Sequence, residues 1–282
     1  MNEFGPLFTY LAPQRDGKVS LHKLEMEEIT ICDLPKAFQA VVAVSDLQGA
    51  VILDPRTGIM ETEGLFDSSR EVLEAVVQDL GVQLRPMGVM LPIYLTRWLE
   101  SRGISVSQTL VLIAGDLCGV LKRGARCNVR PVWDAFAHYF PHVVGITGNH
   151  DLLDEPPAGT WLLDGEVLEL RGLKIGGISG VVGRKDRNPR NRDARTYRRV
   201  LKEVLSQRPH MLLLHPCPEV QPPLWLGDAM IAEVLLQYPH SLHVVCGHVE
   251  WPSSHARLGH HSVWNADHRV ILFRLDEGEV CS

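Results

Sequence analysis

The 282-residue chain is 45% hydrophobic and 22% charged, enough apolar mass for one large buried core or a core with appendages. Its net charge of −6 excludes a nucleic-acid coat protein, so an anionic ligand would have to be drawn by a local patch or by metal. No apolar run reaches about 18 residues, so no membrane-spanning helix is expected. Residues 1–15, with Glu3, Pro6 and Pro13, lack the basic start and apolar run of a signal peptide. Six scattered cysteines without a Cys-x-x-Cys pair argue against a zinc knuckle and a secreted disulfide scaffold; reduced thiols and a cytoplasmic location are the default expectation.

In chain order, residues 1–35 form an expected N-terminal extension, a hairpin packed on a main domain spanning 36–282. The run Ala40 to Ser45 is short, apolar and β-branched, and ends at Asp46; residues 49–64 then suggest a long loop or hairpin. Ser68 to Leu80 and Val89 to Arg102 carry apolar residues at helical spacing. Thr109 to Ala114 is a second buried run, ending at Gly115-Asp116, and Pro131 to Tyr139 a further helix. His142 to Thr147 ends at Gly148-Asn149-His150-Asp151. Residues 160–180 alternate like antiparallel strands, Asp193 to Ser206 is helical, and Met211 to Leu214 ends at His215. The helix Gly227 to Tyr238 precedes Leu242 to Cys246, which ends at Gly247-His248, and residues 262–275 alternate again. Runs of this kind are strands buried on both faces, and their alternation with helices makes an α/β fold with mixed sheets.

Polar groups after buried strands gather in one crevice at the strands' carboxyl ends. Here those groups are Asp46, Gln48, Asp116, Asn149, His150, His215, His248 and Glu250, a carboxylate, imidazole and amide set suited to divalent cations. There is no Gly-x-Ser-x-Gly elbow, no Walker loop and no Gly-x-Gly-x-x-Gly after a strand. Residues 184–199 hold eight basic side chains, among them Arg184, Arg187 and Arg190, against Asp186 and Asp193. In an acidic protein this is a local positive patch, either a phosphate clamp or a solvated helix face.

The ordered motifs Ser45-Asp46-Leu47-Gln48-Gly49, Gly115-Asp116, Gly148-Asn149-His150-Asp151, His215 and Gly247-His248-Val249-Glu250 resemble those of the calcineurin-like metallophosphoesterases. The resemblance spans about Ala40 to Leu275. It implies a four-layer α/β/β/α sandwich with two mixed β-sheets. It also implies hydrolysis of a phosphate ester by in-line attack of a hydroxide bridging two divalent metals. In that scheme Asp116 bridges the metals, Asn149, His215 and His248 complete one site, and Asp46 sits on the other. His150 protonates the leaving oxygen and Asp151 orients His150. The first motif usually reads Asp-x-His and the last Gly-His-x-His. Gln48 and Glu250 stand where those histidines would be, making an all-oxygen second site that points to manganese first, with magnesium, iron and zinc as alternatives.

Leu173 to Gly180, followed by the basic stretch with Tyr197, is similar to a segment of the RNA lariat debranching branch of that superfamily. With the basic segment, this makes a phosphodiester or nucleotide-type ester the expected substrate, and a nucleotide or nucleic acid the expected partner. A phosphomonoesterase and a non-catalytic scaffold with a degenerate second metal site are the alternatives.

Overall fold

The computed structural model describes residues 8–14, 16, 18–54, 58–59, 67–69, 78, 81–183, 191–220 and 226–276. In chain order the main elements begin with β1 (Thr9–Pro13), β2 (Lys18–Lys23), β3 (Glu25–Ile31), β4 (Ala40–Val44), β5 (Ala50–Asp54) and β6 (Gln83–Pro86). Next come α1 (Met87–Glu100), β7 (Thr109–Ile113), α2 (Arg130–Tyr139), β8 (Val143–Gly145), β9 (Thr160–Leu162), β10 (Glu166–Leu170) and β11 (Leu173–Ile178). The chain continues with α3 (Ala194–Ser206), β12 (Met211–Pro216), α4 (Ala229–Leu236), β13 (His243–Gly247), β14 (His255–Leu258), β15 (His261–Asn265) and β16 (Arg269–Leu275). It is an α/β fold with mixed sheets and four such helices among the described residues.

One six-stranded sheet runs β9-β8-β7-β4-β16-β3 and a second runs β10-β11-β12-β13-β15-β14. Each has a parallel centre: β4 pairs with β7 and β7 with β8, while β11 pairs with β12 and β12 with β13. Antiparallel neighbours flank both centres, β16 on β4 and β14 on β15. The central strands are apolar at every position because both faces are covered. Alternate residues enter different clusters. Val41, Ala43, Leu110, Leu112 and Val144 of the first sheet share one core with Ile175, Met211, Leu213 and Val245 of the second. Ala40, Val42, Val44, Val111 and Ile113 point the other way, onto Leu91, Leu95 and Leu99 of α1 and Val132, Trp133 and Phe136 of α2. Leu212, Leu214, Val244 and Cys246 pack on Tyr197, Leu201 and Val204 of α3 and Ile231, Val234 and Leu235 of α4.

Local chemistry sets the helix ends. Asp193 and Asp228 cap α3 and α4, accepting from Thr196 N at 2.9 Å and Ile231 N at 3.0 Å. α1 begins directly after Pro86, whose fixed φ suits a helix entry.

The first 35 residues serve two sheets. β1 and β2 pair as a hairpin in a third sheet with β5, whereas β3 runs parallel to β16 at the edge of the first sheet over its whole length. Of residues 49–64, β5 pairs antiparallel with Gly58–Ile59, and 55–57 and 60–64 lie outside the described residues. Of the helix expected over 68–80, Ser68 and Ser69 are extended and pair with β2, Gln78 is helical, and the rest lies outside the described residues apart from those.

The glycine-rich strand Leu173–Ile178 has a packing explanation. A Cβ on Gly177 would lie 2.6 Å from Leu163 Cβ and 2.9 Å from Ile146 Cγ2, and one on Gly176 would lie 2.6 Å from Val204 Cγ1. These glycines let the second sheet approach the first on one face and α3 on the other.

Candidate metal centre

The motif residues lie at or just after the carboxyl ends of β4, β7, β8, β12 and β13, strands of the two sheets that share a core. Asp116, His215 and His248 converge: one ligand atom from each lies within 4.8 Å of the others. Asp116 and His215 are buried, while His248 is exposed. His215 Nδ1 lies 2.9 Å from the Ala114 carbonyl, which can only accept, so Nδ1 carries the hydrogen and Nε2 is the ring's remaining ligand atom. That Nε2 faces Asp116 Oδ2 at 3.1 Å. A ring fixed through one nitrogen with the other aimed at a carboxylate is what a metal-ligating histidine requires.

Backbone strain collects here. Asp46, Asp116 and His248 hold left-handed φ of 52°, 55° and 72°, an unusual conformation for side-chain-bearing residues. Close approach explains two motif glycines. A Cβ on Gly148 would lie 2.0 Å from Asp116 Oδ1, and one on Gly247 would lie 2.1 Å from Asp46 Oδ2.

Asp151 departs from its expected role. Its carboxylate, fully buried, accepts from the backbone N–H groups of Asp116 at 2.8 Å, Leu117 at 2.7 Å and Gly148 at 2.9 Å. The group on His150 Nδ1 is instead the Ala125 carbonyl, at 3.0 Å. The carboxylate turns inward because three N–H donors at the loop starts would otherwise be buried without acceptors. His150 N–H donates to Asp116 Oδ1 at 2.9 Å, and its ring Nε2 lies 3.9 Å from Asp116 Oδ2. Asn149 sits half-buried between Gly148 and His150, on the same turn.

Of the residues of the expected second site, Asp46 and Gln48 lie beside Asp116, and Glu250 stands apart. Asp46 Oδ2 accepts from Ser45 Oγ at 2.6 Å and His248 N at 2.9 Å. Gln48 turns its amide nitrogen to Asp116 Oδ2, at 2.9 Å. Glu250 is exposed on the rim of a cavity of about 350 Å³, with Tyr10, His22, Asp267 and His268. Among the described residues, neither Asp46 nor Glu250 joins a carboxylate–imidazole cluster of ligand geometry. A flip of the Gln48 amide would be needed to offer the expected oxygen.

The buried charges of this cluster work against one another. Burial, with Asp267 nearby, pushes the Asp46 carboxyl up to about 8. Burial raises Asp151 to about 6, the Asp116 charge adding to it, against the pull of its backbone donors. Burial would also raise Asp116, but the His215 ring and then His150 hold it down at about 2. The converse holds for His215: burial alone would lower it, and the Asp116 carboxylate lifts it to about 10. Burial and the His215 ring beside it, 4.9 Å away between centroids, drop His248 to about 4. A cation between these groups would take over the charge that the His215 proton now supplies.

The expected clamp residues Arg184, Arg187 and Arg190 lie outside the described residues. Three other cations of that stretch are committed to surface pairs: Arg192 with Asp164 at 2.6 Å, Arg198 with Glu233 at 2.6 Å and Arg199 with Glu203 at 2.8 Å. The segment 118–127, which carries Lys122, Arg123 and the Ala125 carbonyl, borders the site although no motif marks it. Its signal was a short basic run directly after Gly115-Asp116. The reduced-thiol expectation is also corrected, since Cys118 and Cys127 form a disulfide and Cys32 is disulfide-bonded. Cys118 and Cys127 sit nine positions apart, a separation no spacing rule singles out, and the turn closing on His150 brings them together.

No family model matches the chain, and no curated protein matches it. No helix among the described residues is long and apolar enough to cross a membrane.

Two predictions follow from this geometry. Gly247→Ala should lower manganese affinity at least roughly tenfold by displacing Asp46 and His248 together, as read by calorimetry; unchanged affinity would show that the close approach is dispensable. Metal affinity should also rise with pH from 6 to 8. His215, held near 10 by Asp116, must lose its proton to bind metal, so one competing proton gives up to about a tenfold gain per pH unit. A flat profile would contradict ligation by His215.

Proposed function

We propose that this chain is a divalent-metal-dependent phosphoesterase of the calcineurin-like type, built as a four-layer α/β/β/α sandwich. It acts on a phosphodiester or nucleotide-type ester, with a nucleotide or nucleic acid as the natural partner. The observation that carries the reading is the convergence of Asp116, His215 and His248 beside His150. The division of strand residues among three apolar clusters supports the layered arrangement.

The donor set fits a first metal ion: His215 and His248 would supply imidazole nitrogens and Asp116 a carboxylate, with Asn149, as the resemblance implies, adding an amide oxygen. A bound divalent ion supplies Lewis acidity toward a phosphate oxygen and acidifies water. The resemblance implies a second ion, manganese first, at Asp46, Gln48, Asp116 and Glu250. That donor set fits less well, since Gln48 presents nitrogen and Glu250 stands on the rim.

The remaining chemistry belongs to the chain's own side chains. Ala125 fixes His150 Nδ1 as the hydrogen-bearing nitrogen, so Nε2 is the atom that faces the site. The doubly protonated ring donates from Nε2 to the departing oxygen and is left neutral, its Nδ1 hydrogen still on the carbonyl. Asp116 accepts the His150 backbone N–H and thereby ties this ring to the metal-binding carboxylate. Asp151 holds the turns that carry both.

A cytoplasmic location is retained in this reading, with the Cys118–Cys127 disulfide the feature that weighs against it. The nitrogen that Gln48 turns to Asp116 and the exposed place of Glu250 favour, as a second reading, a scaffold binding one metal without turnover.

Metal-stripped protein should regain hydrolysis of bis-(p-nitrophenyl) phosphate when manganese is restored, and act on this diester faster than on p-nitrophenyl phosphate. Greater monoester activity would make it a monoesterase, and one bound ion with no turnover would make it the scaffold. His150→Ala should cost about 10²–10⁴-fold on a diester with an alkyl alcohol leaving group. It should cost much less on the p-nitrophenyl ester, whose leaving group needs little protonation, with metal content kept. Equal losses on both substrates would remove His150 from the acid role.

A further inference from the structure

The ring of His150 is aimed by a loop that is itself closed by a covalent bond. The Ala125 carbonyl, 3.0 Å from His150 Nδ1, belongs to the segment between Cys118 and Cys127. Lys122, Arg123, Gly124 and Arg126 around it are exposed, while Ala125 itself is half-buried against the core and its N–H donates to the Lys122 carbonyl at 3.0 Å. The ends of the segment are held well. Cys118 follows Leu117, whose N–H is gripped by Asp151. Cys127 N–H donates to the His150 carbonyl at 3.3 Å, and Cys127–Asn128 runs parallel to Asp151–Leu152. The two cysteines have Cα atoms 5.5 Å apart, within the range a disulfide spans. A cross-link there turns a solvent-exposed excursion into a short closed ring, and the carbonyl that selects the His150 tautomer rides on that ring.

We propose that the Cys118–Cys127 disulfide is a positioning element for His150, holding the Ala125 carbonyl against Nδ1 so that Nε2 faces the metal centre. The part concerning catalysis rests on the phosphoesterase reading; the part concerning the ring does not. Reduction by a dithiol moves two electrons and two protons onto the protein sulfurs. The S–S bond breaks, Cys118 and Cys127 become thiols, and the reductant leaves as its own cyclic disulfide. The loop then loses its closure, and His150 loses the acceptor that fixes its tautomer, while Asp116, His215 and His248 keep their places through Asp151, Ala114 and Asp46. Reoxidation restores the ring orientation.

The test uses the full chain in three readouts. Alkylation and mass mapping without reductant should find the Cys118 and Cys127 peptides linked; both found alkylated would overturn the proposal. Nitrogen-15 spectra of His150 in the metal-free protein should show a single Nδ1–H tautomer. A mixture should appear in the Cys118→Ser, Cys127→Ser variant and in wild type treated with dithiothreitol, returning to one tautomer after reoxidation. The reoxidation arm guards against a variant that merely misfolds, and an unchanged tautomer after reduction overturns the proposal. With manganese bound, reduction should lower kcat on the alkyl diester at least tenfold, with KM, metal affinity and the p-nitrophenyl rate close to unchanged. Equal losses on both esters would overturn the positioning role. If tautomer exchange responds to reduction but no ester is turned over, the phosphoesterase reading fails while the positioning of His150 stands.

Discussion

The buried carboxylate of Asp151 is the contact on which the site is built. It gathers three backbone N–H groups from two turns, those after β7 and β8, and so brings Asp116 and the Gly148-Asn149-His150 turn together. A buried charge taken from water is costly, and three backbone donors are what make this one tolerable. Once the turns are joined, the Asp116 side chain has little freedom: His150 N–H holds one oxygen, while Gln48 and His215 face the other. Gly148 has no Cβ because Asp116 fills that space.

A second layer of constraint is electrostatic. Asp46, Asp116 and Asp151 are buried close together, and their carboxyl groups move in opposite directions because the His215 charge falls mainly on one of them. The Asp116 carboxylate and the His215 ring each favour the other's charged form. With left-handed backbone at three of the site's residues, stability has been spent on geometry, which is the usual mark of a functional centre.

Much of this was legible before any coordinates. The continuous apolar runs at Ala40, Thr109, Met211 and Leu242 are strands, and the helices capped by Asp193 and Asp228 fall where periodicity placed them. Their readability has a physical basis, since strands covered on both faces must be apolar throughout. Asp116, His215 and His248 were legible as strand-end polar groups, and they meet. What failed to show was whatever depends on direction in space. A carboxylate following a histidine reads as its orienting partner, yet Asp151 faces the backbone and Ala125, far back in the chain, takes the ring. An amide offers oxygen or nitrogen by a simple flip, so Gln48 could not be read from its letter. Glycines at 176 and 177 carry no sign of whether a ligand or a neighbouring side chain demands them, and here Leu163, Ile146 and Val204 do. The disulfide was hidden for the same reason, since its two cysteines match no spacing pattern.

The central claim is that Asp116, His215 and His248 form a metal centre. Anomalous diffraction from crystals grown with manganese tests it most directly. The account predicts a peak within about 2.0–2.5 Å of His215 Nε2, a His248 ring nitrogen and an Asp116 oxygen, lost in His215→Ala. A protein that binds manganese with no peak at these three side chains would contradict it.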